Sequence, residues 1–105
     1  MHIKPTEKAR EGSIFDIGVG AEEFLLIPKS EEVPCPWDAD VSVHQNKIIL
    51  EGFLAPGGPS DRATCTCIVP MSAFSKYFYI EVPDYAFDEN PDLMEDIVAA
   101  GWEKA

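Results

Sequence analysis

A chain of 105 residues with a net charge of −11 and 46% hydrophobic residues can bury one core and amounts to one ordinary domain. Its acidity argues against direct binding to nucleic acid or to an acidic membrane, both of which a field of that sign repels. The apolar runs and an aromatic fraction of 10% exclude a disordered acidic tail.

No apolar segment approaches the roughly 20 residues of a membrane helix, and no apolar stretch follows Lys4, Lys8 and Arg10 as a secretory leader would require. An odd count of three cysteines then points to reduced thiols in the cytoplasm rather than to a disulfide framework.

Residues 1–12 are polar and aperiodic, which predicts a flexible N-terminal arm ahead of a domain over 13–105. A first strand is expected over 14–19, with Phe15, Ile17 and Val19 on one face, followed by a turn at Gly18 to Ala21. A second, buried strand over 24–27 stops at Pro28. The segment 29–40, with Pro34 and Pro36, reads as the longest loop.

Residues 41–44 alternate apolar and polar. Gln45-Asn46 suits a two-residue hairpin turn, because asparagine tolerates the left-handed conformation. The return strand, 47–54, sets Ile48, Leu50 and Leu54 on one face. The run Ala-Pro-Gly-Gly-Pro-Ser-Asp over 55–61 is a loop. A strand over 62–69 puts Thr64, Thr66 and Ile68 opposite Cys65, Cys67 and Val69. One helical turn over 71–76 precedes a strand over 77–82, with Phe78, Ile80 and Val82 inward.

Asn90 as cap, Pro91 at the first helical position, and Asp92, Glu95 and Asp96 near the positive end of the dipole predict a helix over 91–104. Its apolar face is Leu93, Met94, Ile97, Val98 and Trp102. The expected fold is α+β: a single antiparallel β-sheet domain of about six short strands, sandwich- or barrel-like, with this C-terminal amphipathic helix packed on it.

No enzyme signature emerges. Cys65-x-Cys67 with Cys35 and either His2 or His44 would complete a four-ligand zinc set, but Cys-x-Cys is a poor knuckle spacing and strand cysteines pack well as small apolar residues. A Cys35–His44 thiolate pair lacks any recognisable surroundings. Gly57-Gly58 has no P-loop lysine, and Gly18-Val19-Gly20 runs into Glu22 and Glu23 where phosphates would sit. Asp84 to Asp92 lacks the glycine-centred order of an EF-hand. No catalytic residue, metal ligand or cofactor is therefore expected.

The charge distribution remains. No basic residue stands between Lys76 and Lys104, a stretch holding eight acids, Glu81, Asp84, Asp88, Glu89, Asp92, Glu95, Asp96 and Glu103. Tyr77, Tyr79, Tyr85 and Phe87 are interleaved with them, and aromatics beside carboxylates select for lysine and arginine. The expected partner surface is Asp84, Tyr85, Phe87, Asp88, Glu89, Asp92, Glu95 and Asp96. The expected function is a non-enzymatic binding or inhibitor protein that docks on a basic protein surface, such as that of a nucleic-acid-handling complex. By size and charge alone this is the style of a phage-encoded inhibitor of host defence. The alternatives are a subunit or assembly factor of a homo-oligomer, and a small thiol- or zinc-dependent enzyme.

Overall fold

The computed structural model describes residues 1–16, 24–54 and 63–105. Among these, eight strands form two antiparallel sheets of four, joined by three short helices. The α+β class is as expected from the sequence. The expected sandwich- or barrel-like antiparallel domain of about six short strands takes the form of two sheets, with eight strands among the described residues.

The first sheet has the order β3-β7-β1-β8, built from Leu25–Pro28, Phe78–Glu81, His2–Pro5 and Trp102–Lys104. The second has the order β2-β4-β5-β6, built from Gly12–Ser13, Trp37–His44, Lys47–Phe53 and Thr64–Pro70. One core joins both sheets: Ile3 and Ile80 from the first meet Val41, Val43, Ile48 and Leu50 from the second in a single buried cluster. Helix α1, Met71–Tyr77, closes it with the fully buried Phe74, whose ring packs edge-on against Trp102 at 6.2 Å.

The hairpin forms where the sequence places it. Gln45 and Asn46 both take positive φ, 48° and 63°, as a type I′ turn requires. His44 pairs with Lys47, and the ladder runs on through Val43–Ile48 and Val41–Leu50. Phe78, Ile80 and Val82 are buried as the alternation predicts.

Four expectations are corrected. The N-terminal arm is not loose where it was expected to be: β1 lies between β7 and β8, pairing His2 with Glu81 and Ile3 with both Ile80 and Lys104. Four residues with one buried side chain are too short for periodicity to register, yet Ile3 is completely buried. The strand expected over 14–19 begins instead as a 3-10 turn at Ile14–Asp16; its remainder lies outside the described residues, as does the 55–61 loop. The 29–40 loop ends early, because β4 starts at Trp37 and passes through a bulge before Asp40, with Asp38 at φ 51°.

The C-terminal helix divides. Pro83 ends the β7 segment and a helix α2, Asp84–Glu89, follows at once; it has no apolar stripe beyond Ala86 and Phe87, so periodicity does not announce it. Helix α3 is only Leu93–Ala99. It buries Leu93 and Ile97, and the stripe continues to Ala100, while Val98 is 58% exposed, because it lies off the line of positions i, i+4 and i+7. Gly101 at φ 85° ends the helix, and Trp102, expected on the helix, is buried from strand β8 instead.

Candidate functional site

Both β7 and β8 run antiparallel to β1, so they run parallel to each other with β1 between them. A connection between parallel strands must cross over the sheet. Helices α2 and α3 are that crossover, and it carries most of the base-free acidic stretch.

The crossover is anchored by a narrow set of apolar residues. Val82, Ala86, Leu93, Ile97 and Ala100 are buried, and Phe87 and Met94 pack partly against the same core. Between the helices, the Asn90 carboxamide accepts a hydrogen bond from the Asp92 N–H at 3.2 Å, while the Leu93 N–H donates to the Asn90 carbonyl at 3.0 Å. Asn90 thus forms an Asx turn ahead of α3 rather than capping it: the helix starts two residues later than expected, and its N-cap, Asp92, makes no side-chain capping hydrogen bond.

With that face buried, the opposite face must be polar. Asp84, Asp88, Glu89, Asp92 and Glu95 are exposed and Asp96 is half-buried. Asp84 and Asp88 stand four apart on α2 and share one side.

The two strand-borne acids behave differently. Glu81 lies 2.7 Å from His2 Nε2 and 3.9 Å from the Met1 ammonium, and Glu103 lies 3.8 Å from Lys4 Nζ. The Met1 ammonium and the Lys4 ammonium are therefore spent on the sheet. Among the described residues, none of the ion pairs uses the other six acids of the stretch. Five of these six carboxylates are exposed and Asp96 is half-buried, and among the described residues none has a cationic partner.

Their positions separate two reasons for being there. Asp84 in the first turn of α2, and Glu95 and Asp96 in the first turn of α3, meet the favourable end of a helix dipole. Asp88 and Glu89 lie in the last turn of α2, which has no basic residue and where negative charge is disfavoured. Support for their own helix does not account for these two.

The aromatic part of the expected surface is smaller than the sequence suggests. Tyr85 is 52% exposed among the acids, but Phe87 packs partly on the core. Tyr79 stacks on His2 with ring centroids 3.9 Å apart. Tyr77 is exposed elsewhere, in a groove with Lys29, Lys76 and Ile68 between the 29–34 segment and β6.

The histidines are placed away from the four-ligand set considered from the sequence, His2 against Glu81 and His44 3.5 Å from Glu11. The cysteines are together, however: Cys65 and Cys67 have sulfurs 4.0 Å apart. Burial raises the Cys35 thiol above its ordinary value of 9.0, and the Cys67 and Cys65 charges raise it further. Burial also raises Cys67, aided by its hydrogen bond with Cys65 and that neighbour's charge. Of the zinc set weighed from the sequence, the cysteines influence one another while neither histidine joins them.

Beside Cys35 an open cleft of about 540 Å³ is lined by Phe24, Leu26, Pro28, Val33 and Trp37. Among the described residues no helix is long and apolar enough to cross a membrane. Comparison with known proteins finds no matching family model, no matching curated protein and no matching solved structure.

Proposed function

We propose that this protein is a non-enzymatic binding domain whose acidic α2–α3 crossover docks onto a basic protein surface, of the kind that otherwise holds nucleic acid. The observation that carries the reading is that, among the described residues, six crossover carboxylates pair with no cation, beside two strand acids that do. Carboxylates a few ångströms apart present lysine and arginine with the charge pattern of a phosphate backbone. A small acidic domain of this kind inhibits by occupying a nucleic-acid groove, and it would work in the reducing cytoplasm that three free thiols suit.

The test is capture of the partner from the native host, followed by reversal of Asp84, Asp88 and Glu89 to lysine. Each close, partly desolvated charge pair lost should cost about 1–3 kcal/mol. Association should also weaken as salt rises from about 0.05 to 0.5 M, as screening shortens the reach of exposed charge. Binding indifferent to both changes would remove the crossover from the interface.

Exposed apolar residues at the sheet margins favour a second reading. Strands β6 and β3 end their sheets among the described residues, and they carry Ile68 at 62% and Leu25 at 54% exposure. Such edges invite pairing with another copy. Sedimentation that shifts with concentration, and is abolished by Ile68→Lys, would favour the homo-oligomer instead.

A further inference from the structure

The cleft of about 540 Å³ beside Cys35 takes its walls from the 14–16 turn, β3 and the 33–40 segment, and its size is that of a small-ligand pocket. Phe15, Phe24, Leu26 and Trp37 make it apolar and aromatic, while Asp38 and Asp40 add two carboxylates. No lysine or arginine stands among its described lining residues, and among the described residues neither aspartate takes part in an ion pair. Lys29, next in the chain after β3, is committed instead to the Ser75 carbonyl. The cleft is aromatic, and its charge has one sign.

Trp37 is there because β4 is irregular. Strict alternation would put position 37 on the side of Val41 and Val43, which are buried. The bulge between Trp37 and Asp40 breaks that alternation, and Trp37 stands 51% exposed in the cleft. Asp38 takes positive φ, 51°, which few residues other than glycine adopt. The backbone before it is held in place. A Cβ at Gly52 would run into the Trp37 carbonyl oxygen and stand 2.8 Å from Pro36 Cβ, so the bare glycine lets 36–37 rest on β5. Asp40 is oriented too, since its carboxylate accepts from the Ser13 hydroxyl at 2.9 Å.

We propose that this cleft binds a small organic ammonium ion, its apolar body against Phe24 and Leu26 and its cationic head between the Trp37 indole and the Asp38 and Asp40 carboxylates. The face of an aromatic ring attracts a cation through its quadrupole, tryptophan most strongly. A carboxylate beside it adds Coulomb attraction and accepts N–H hydrogen bonds. An anion would meet two like charges here, and a neutral apolar molecule would leave both carboxylates unused. None of the crossover acids lines the cleft, so this site stands or falls apart from the docking reading.

The test is titration of the full chain with phenethylammonium, read by NMR on the Trp37 indole and the 38–40 amides. The second indole, that of the buried Trp102, is the internal reference. The Trp37 signals are expected to shift to saturation while Trp102 stays still. Phenethyl alcohol, the neutral counterpart, should bind about tenfold more weakly, and so should Nα-acetyl-lysine methylamide, which presents lysine as a partner protein would. Asp38→Asn and Asp40→Asn should each weaken binding by about threefold and Trp37→Leu by about tenfold, every tenfold being about 1.4 kcal/mol. All three positions are exposed, so the variants keep the fold. No saturable shift at Trp37 would overturn the proposal. So would either comparison compound binding as tightly as phenethylammonium, or both aspartate variants binding as tightly as the wild type.

Discussion

Replacing Gly101 with alanine tests how the C-terminus is locked to the rest of the domain. Gly101 has φ 85°, and a Cβ there would run into the Lys8 carbonyl and stand 2.6 Å from the Ala9 Cα. Those are backbone atoms, which cannot swing aside as a side chain does. The neighbouring carbonyls are also committed: Gly101 O accepts from the Thr6 N–H at 2.9 Å and the Thr6 hydroxyl at 2.5 Å, and Ala100 O accepts from the Arg10 N–H at 2.8 Å. Backbone strain at positive φ costs about 1–3 kcal/mol. Displacing this crossing weakens up to three hydrogen bonds worth about 0.5–1.5 kcal/mol each. The expected loss is about 3–5 kcal/mol, a large share of the ~5–15 kcal/mol that holds a domain together. Gly12→Ala is the control, because φ is 109° but nothing lies within 4 Å of its Cβ, leaving only the strain. Both changes restrict the unfolded chain equally, so that contribution cancels in the comparison. Urea unfolding followed by the emission of Trp102, 2% exposed, reads both variants. A Gly101→Ala loss no larger than that of Gly12→Ala would refute the locking of 100–101 against 6–10.

Other expectations follow from the packing and from the thiols. Leu93→Ala and Ile97→Ala, both at completely buried positions, should each cost about 2–5 kcal/mol, whereas Val98→Ala should stay within about 0.5 kcal/mol; equal losses in urea unfolding would restore the continuous helix over 91–104. Asp88→Asn with Glu89→Gln should leave stability unchanged or raise it by about 0.3–1 kcal/mol by relieving the last turn of α2, and a clear loss would mean these carboxylates support the fold. The Cys35 and Cys67 thiols are raised in the folded state, so folding holds their protons more tightly than the unfolded chain does. Their contribution is complete below the ordinary value of 9.0 and is lost as pH climbs through the raised folded values. Stability should therefore decline more steeply above pH 9.0 in the wild type than in Cys35→Ala, and identical alkaline slopes would contradict the burial of that thiol.

What the sequence makes legible is local. The hairpin at Gln45-Asn46 is visible because one turn type needs two positive φ values and flanking alternation fixes the register. The inward face of Phe78, Ile80 and Val82 is visible because period-two burial leaves a pattern in six residues. The acids are visible as composition, but their geometry is not. A crossover exists only because β7 and β8 are parallel, and that parallelism depends on β1, whose four residues hold no pattern. Glu81 and Glu103 look like the other six acids until β1 brings His2 and Lys4 alongside. The unpartnered set is thus defined by long-range pairing rather than by the run of acids itself.

The cysteines carry the same argument further. Read along the chain, Cys65-x-Cys67 is a strand pair and Cys35 is a residue in a proline loop, and no spacing rule joins them. The residue that joins them is Gly52, which carries no chemistry. Its missing side chain, opposite Cys65 in the ladder, is what lets the backbone of Pro36 and Trp37 rest on the sheet. Gly52→Val, which favours the strand in propensity, should therefore lift that loop, separate Cys35 from the pair, and leave the Cys65–Cys67 contact in place. Alkylation of Cys35 should then quicken relative to Cys67, because the thiol loses the burial that now raises it. Unchanged relative rates in a folded Gly52→Val protein would show that the loop is held by something other than the space this glycine leaves.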